Sequence, residues 1–99
     1  MIVFDEEALG DLERTFEFNF QRDPAIALDH IRRIREAVLI LEEHPEIGRL
    51  ARRGSTLREL VISHGHSGYV ALYEHSAAER LIRVLAIRHQ REAGYRGGL

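Results

Sequence analysis

Hydrophobic positions along the chain change their period once, from helical in the first half to strand-like in the second. Ile2, Val3 and Phe4 make a short apolar run suited to an edge strand, and Asp5, Glu6 and Glu7 place acids where a helix N-terminus favours them. Leu9, Leu12, Phe16 and Phe20 then recur at helical spacing and predict one apolar face. Asp23-Pro24 should end this helix and start a second, with Asp23 as the cap and Pro24 in the first helical position. Ala27, Ile31, Ile34, Val38 and Leu41 follow in alternating steps of four and three, which draws a seam along about four turns. The short break between the helices predicts an antiparallel hairpin. His44-Pro45 closes the second helix, because the residue before a proline is driven out of the α region.

Residues 46–56 contain Gly48, Gly54 and Ser55 and read as a loop carrying Arg49, Arg52 and Arg53. Three runs rich in β-branched or aromatic residues come next, at 57–62, 69–75 and 81–89. The connections between them are short, so an antiparallel meander is expected. Strict alternation in the last run would put Ile82, Val84, Ala86 and Arg88 on one face, and Leu81, Arg83, Leu85, Ile87 and His89 on the other. Both faces are then partly apolar. If the helices cover one, the other needs either the tail at 90–99 or another chain. The glycines of that tail predict mobility in the free protein.

Composition narrows the class. A chain of 99 residues, 44% hydrophobic and 30% charged, suits one α+β domain spanning 1–99. The absence of cysteine removes disulfides and thiolate metal sites and fits a reducing compartment. Met1 to Phe4 runs straight into acids, with no basic segment or long apolar stretch, which predicts a cytoplasmic protein with no membrane partner. The net charge of −2 hides an asymmetry: residues 1–48 carry five arginines against twelve acids, a net of −7, and residues 49–99 carry nine against four, a net of +5. A basic half implies an anionic or acidic partner. All fourteen basic residues are arginine, so no lysine can act as a base or form a Schiff base. Genome composition accounts for arginine-only usage more readily than selection for phosphate contacts does.

Other constellations carry little chemistry. His64-Gly65-His66 has the look of a metal pair, but in a turn without further ligands it reads as a solvated loop. Phe16 and Phe20 read as core, which leaves Phe18 as the exposed member of that aromatic group. The pairs Glu6-Glu7 and Glu42-Glu43 read as solvated helix ends. No glycine-rich phosphate loop or nucleophile elbow is present, and no cofactor or metal is expected.

Several words in the sequence resemble the RelE/ParE toxin superfamily, in the family's order and across nearly the whole chain. They are His44-Pro45-Glu46-Ile47-Gly48-Arg49, Leu57-Arg58-Glu59-Leu60, Gly68-Tyr69-Val70-Ala71-Leu72-Tyr73 and Val84-Leu85-Ala86-Ile87-Arg88-His89-Gln90-Arg91-Glu92. The resemblance implies an N-terminal strand, an antiparallel helical hairpin and a three-stranded antiparallel meander packed on the helices. It also implies the toxin half of a type II toxin-antitoxin pair, held inactive in a hetero-oligomer by a cognate antitoxin that wraps it with a helix and extended segments.

Superfamily members of the RelE kind cleave messenger RNA on the ribosome, and those of the ParE kind arrest DNA gyrase. Fold alone does not choose between them. Cleavage by a 2′-hydroxyl needs a phosphate clamp and proton handling, for which the resemblance points to Arg58 and Arg88 as clamp and to His89 or Tyr95 for the proton. The plain structural alternative is that Arg58 and Arg88 are exposed sheet arginines paired with Glu59 or Glu92, and that His89 is a polar edge residue. The lysines common in RelE-like sites are missing, and the overall acidity suits ribosomal RNA poorly. Gyrase inhibition needs only a binding surface, and Arg88, His89, Arg91, Tyr95 and Arg96 supply one. The Arg88–Glu92 word and residues 69–73 look more like ParE, so gyrase is the favoured target. The ribosome with its message is the alternative, and an inactive relative retained as an interaction partner is the third reading.

Overall fold

The first strand of the chain pairs with the last. In the computed structural model, which describes residues 1–64 and 67–96 (backbone alone for His64 and Ser67), β1 (Ile2–Phe4) runs parallel to β5 (Leu81–His89), with Ile2 opposite Ile82. Between them lie α1 (Glu6–Phe20), α2 (Pro24–Leu39), a 3-10 turn at Ile40–Glu42, β2 (Arg49–Leu50), β3 (Arg58–His64) and β4 (Ser67–Ser76). The sheet has the order β1-β5-β4-β3-β2, antiparallel throughout apart from the β1–β5 pair. This is an α+β fold in which a helical hairpin packs on one face of a five-stranded mixed sheet.

Local chemistry explains the helix boundaries. The Asp23 carboxylate accepts from Ala25 N at 2.8 Å, and Pro24 fills the first position, where no backbone donor is needed. The second helix gives way at Leu39 to the 3-10 turn, several residues before Pro45. Its seam is buried as expected at Ala27, Ile34, Val38 and Leu41, with Ile31 partly covered. The first helix is rotated from the expected face. Ala8, Asp11 and Asn19 are buried, whereas Leu9 and Phe20 are each 49% exposed. Leu12, Phe16 and Ile31 instead line a shallow groove at the hairpin seam, with Phe16 and Phe20 in ring contact at 5.6 Å.

Two features of the sheet correct strict strand periodicity. Residues 46–56 are not loop throughout, because Arg49 and Leu50 pair with Glu59 and Arg58. A bulge shifts the register of β4 on β5 at Leu72/Tyr73, so that Leu72 faces Ala86 and Tyr73 faces Val84. The extra residue, Leu85, reverses the alternation beyond it. Ile82, Val84 and Ile87 therefore join Ile62, Tyr69, Ala71 and Tyr73 in the core against the helices, while Ala86 and Arg88 go to the outer face with Leu72 and Val70.

That outer face is not bare. Val70, Leu72 and Ala86 are 2%, 3% and 0% exposed, and Glu59, Arg88 and Tyr95 lie on the same side. The segment after β5 folds back as far as Arg96, and residues 97–99 lie outside the described part. On the helical side the loop before β2 is stapled by Tyr73, whose hydroxyl donates to Pro45 O at 2.8 Å and accepts from Gly48 N at 2.9 Å. A Cβ on Gly48 would stand 2.7 Å from the Tyr73 ring, so this close approach requires glycine.

Candidate functional site

At its end β5 carries two neighbouring side chains, Arg88 and His89, and the pleat sends them to opposite faces of the sheet. Each belongs to a different cluster.

On the outer face Arg88 Nη1 donates to the carbonyls of His89, Gln90 and Glu92 at 3.3, 3.4 and 3.1 Å, and so gathers the segment after the strand. Its guanidinium carbon lies 5.2 Å from the centre of the Tyr95 ring, within range of a cation–π contact. The third member is Glu59 of β3, whose side chain is 12% exposed. Glu59 Oε2 accepts from the Tyr95 hydroxyl and stands 3.8 Å from Arg88 Nη2, while Oε1 accepts from Arg49 Nε at 3.2 Å. One carboxylate thus sits among two guanidiniums and a phenol. Burial first, and then the Glu59 carboxylate, push the Tyr95 phenol well above its ordinary value.

On the helical face His89 stands edge-on to Tyr69, with ring centres 5.5 Å apart, and Tyr69 stands edge-on to His30 at 5.8 Å. The Tyr69 hydroxyl is 2.8 Å from His30 Nδ1. Beside them Asp11 of α1 accepts the backbone N–H of Ile87 at 2.7 Å through Oδ2 and pairs with Arg14 through Oδ1. Asn19 donates to Thr15 O at 2.8 Å. These groups floor a cleft of about 510 Å³ that Phe18, Arg22, Arg91 and Arg96 help to line.

Among the residues expected to act together, Arg88 and Tyr95 meet. His89 lies across the sheet from them, with Arg91 N donating to its Nδ1 at 3.1 Å. Arg58 sits at the far end of β3 on the helical side, where Nη1 donates to Gly48 O at 2.7 Å and Glu46 O at 3.2 Å. It acts there as a loop clamp. Arg91 and Arg96 border the helical-side cleft. The His64-Gly65-His66 word lies largely outside the described residues, and no group of three or more metal-ligating side chains occurs among the rest. Sequence reasoning treated Glu59 only as an ion partner and passed over Asp11, Asn19, His30 and Tyr69. The available signal was polar residues set inside apolar stripes: Asp11 between Leu9 and Leu12, and His30 among Ala27, Ile31 and Ile34.

The three tyrosines make an alkaline prediction. Burial raises the pKa values of Tyr69, Tyr73 and Tyr95 above the ordinary 10.0. A raised value favours the neutral phenol in the folded state, so its contribution is complete below pH 10 and is lost as pH climbs through the raised values. The chain has no lysine or cysteine to titrate in that range. The urea midpoint should therefore fall above pH 10 in step with tyrosinate absorbance, and Tyr95→Phe should flatten part of the fall. A midpoint that stays level there would contradict the burial of these phenols.

The chain is thus a helical hairpin on a five-stranded sheet, with Arg88, Arg91 and Arg96 at and beyond the end of the last strand. Residues 2–94 match the family described as the ParE toxin of type II toxin-antitoxin systems, parDE, and the chain belongs to that family. It is a toxin of a type II toxin-antitoxin system. Solved structures agree on the fold. The chromosomal ParDE toxin-antitoxin system from P. aeruginosa superposes with a TM-score of 0.71 at 18% identity, covering 87% of this chain and 90% of that one. The intact E. coli RelBE toxin-antitoxin complex gives 0.64 at 17% identity, covering 88% and 92%. No curated protein sequence matches. Among the described residues no helix is long and apolar enough to cross a membrane.

Proposed function

We propose that this toxin halts growth by binding DNA gyrase and blocking replication, in the cytoplasm, and that a cognate antitoxin neutralises it in a hetero-oligomer. One observation carries the choice of target: Glu59 sits among Arg49, Arg88 and Tyr95 and so takes up two of the donors, Arg88 and Tyr95, that the nuclease reading would turn on a scissile phosphate. A carboxylate there repels a phosphodiester and engages the donors that would clamp it. The other nuclease candidates fit no better around one phosphate. Arg58 is committed to two loop carbonyls, and His89 faces the opposite side of the sheet from Arg88. Tyr95, with its phenol pushed up and its proton given to Glu59, is a poor proton donor to a leaving oxygen.

A gyrase-binding surface requires no such assembly. Arg88, Arg91, Tyr95 and Arg96, with His89 at the border, form a basic and aromatic end to the domain. Arginine and tyrosine are the residue types that dominate binding energy at protein interfaces. The antitoxin has other surfaces open to it. Strands β1 and β2 are the sheet edges, and Val3, Leu50 and Val61 are 38%, 50% and 42% exposed, so an extended segment can add to an edge while a helix covers the hairpin groove.

Induction of the toxin without its antitoxin tests the reading through two measurements. Supercoiling by purified gyrase should stop on addition of the protein, and primer extension on translated messages should show no new ends. New cleavage sites with normal supercoiling would replace this reading with ribosome-dependent cleavage. Growth without any effect would make the chain an inactive relative.

A further inference from the structure

The cleft on the helical side shares His89, Arg91 and Arg96 with the surface assigned to gyrase, yet its own chemistry is that of a ligand site. It measures about 510 Å³, within the range of small-molecule pockets. Two acids line it, and both are already occupied. Asp11 holds the Ile87 N–H and Arg14, and Glu92 Oε1 accepts the His89 N–H at 3.0 Å. Three arginines in its wall, Arg22, Arg91 and Arg96, have no acidic partner among the described residues. Four arginines against two acids leave the cleft a net positive charge within a concave wall, where the field on an anion is strongest. Its floor carries the Tyr69 hydroxyl and the His30 and His89 imidazoles, and its rim carries Phe18, 67% exposed.

From this combination we infer that the cleft binds a nucleotide, with the phosphate on Arg22, Arg91 and Arg96 and the base against Phe18. Guanidinium forks suit the oxygens of a phosphate, several of them around one dianion better than around one carboxylate. An exposed phenyl ring gives a base a stacking surface. An acidic peptide fits less well, because peptides dock along open edges or apolar grooves and this floor is polar. Either a free nucleotide or the phosphorylated end of a single strand presents the same chemistry.

The test is calorimetric titration of the full-length chain with three probes: inorganic phosphate, thymidine 5′-monophosphate and 5′-phosphorylated hexathymidylate. The mononucleotide should bind at least about tenfold more tightly than phosphate, reflecting the stacked base. Arg22→Ala should weaken phosphate and mononucleotide alike by about tenfold, as loss of a charge-assisted contact requires. Phe18→Ala should abolish the advantage of the nucleotide and leave phosphate binding unchanged. Both side chains are exposed, so circular dichroism should show native folding in each variant. A hexanucleotide that outcompetes the mononucleotide assigns the strand end as the source, and equal affinity assigns the free nucleotide. The inference is overturned if no probe binds, if phosphate binds as well as the nucleotide, or if either variant leaves the parent affinities intact. Gyrase is absent from the assay, so its outcome is separate from that of the gyrase reading.

Discussion

Asp11→Ala should lower the stability of this domain by about 3 kcal/mol, the cost of stripping a buried charged acceptor from its partners. The Asp11 side chain is 4% exposed, and its two oxygens answer two separate needs. Oδ2 accepts the N–H of Ile87, next to the bulge that disturbs the β4–β5 ladder, and Oδ1 neutralises Arg14. Alanine would leave an orphan backbone donor in the interior and leave Arg14 only its longer contact with Glu7. Asp11→Asn keeps an acceptor for Ile87 but no charge for Arg14, and should cost about 1 kcal/mol. Urea unfolding followed by circular dichroism measures both. If Asp11→Ala came within the error of the parent, α1 would not be pinned to β5 through this carboxylate.

The second large effect concerns activity. Under the gyrase reading, Arg88→Ala should raise the toxin concentration needed for half-inhibition of supercoiling by at least about 30-fold, equivalent to losing a central interface arginine worth ~2 kcal/mol. Arg88 acts twice here, as a contact and as the residue that gathers three carbonyls and stacks on Tyr95. Arg88→Lys should recover little, because a single ammonium cannot reproduce a planar fork that reaches the carbonyls and the ring together. An Arg88→Ala protein that is folded and arrests gyrase like the parent would move the functional surface away from the end of β5.

How much of this was legible in the sequence depends on what each element had to satisfy. The α2 seam could be read because Ala27, Ile34, Val38 and Leu41 are buried for one reason, the core. In α1 two demands compete. Leu12 and Phe16 serve the hairpin seam while Asp11 and Asn19 turn toward the sheet, so apolar spacing gave a face about one residue out of phase. Leu85 was misleading for a different reason. A bulge is a relation between two strands, and nothing in residues 81–89 alone announces the extra residue that carries Ala86 and Arg88 to the outer side. The two-residue β2 is too short to show any period. As for the site, Arg88 lies in a family word, Tyr95 was named beyond it in the tail, and the two do meet. Glu59 was visible only as a neighbour in sequence, and its place between them depends on the pairing of β3 with β4 and β5.

The parallel pairing of β1 with β5 also sets an order of events in the making of the protein. Residues 2–4 are synthesised well before their partners at 82–84. The Met1 ammonium likewise bonds to Glu42 Oε2 and Arg80 O, the second of which comes from the turn before β5. A ladder that joins the two ends of a chain has high contact order, and the closure of so long a loop is paid before its contacts form. The helical hairpin can assemble on the nascent chain, but the sheet that carries Arg88 cannot be completed until residues 81–89 have been made.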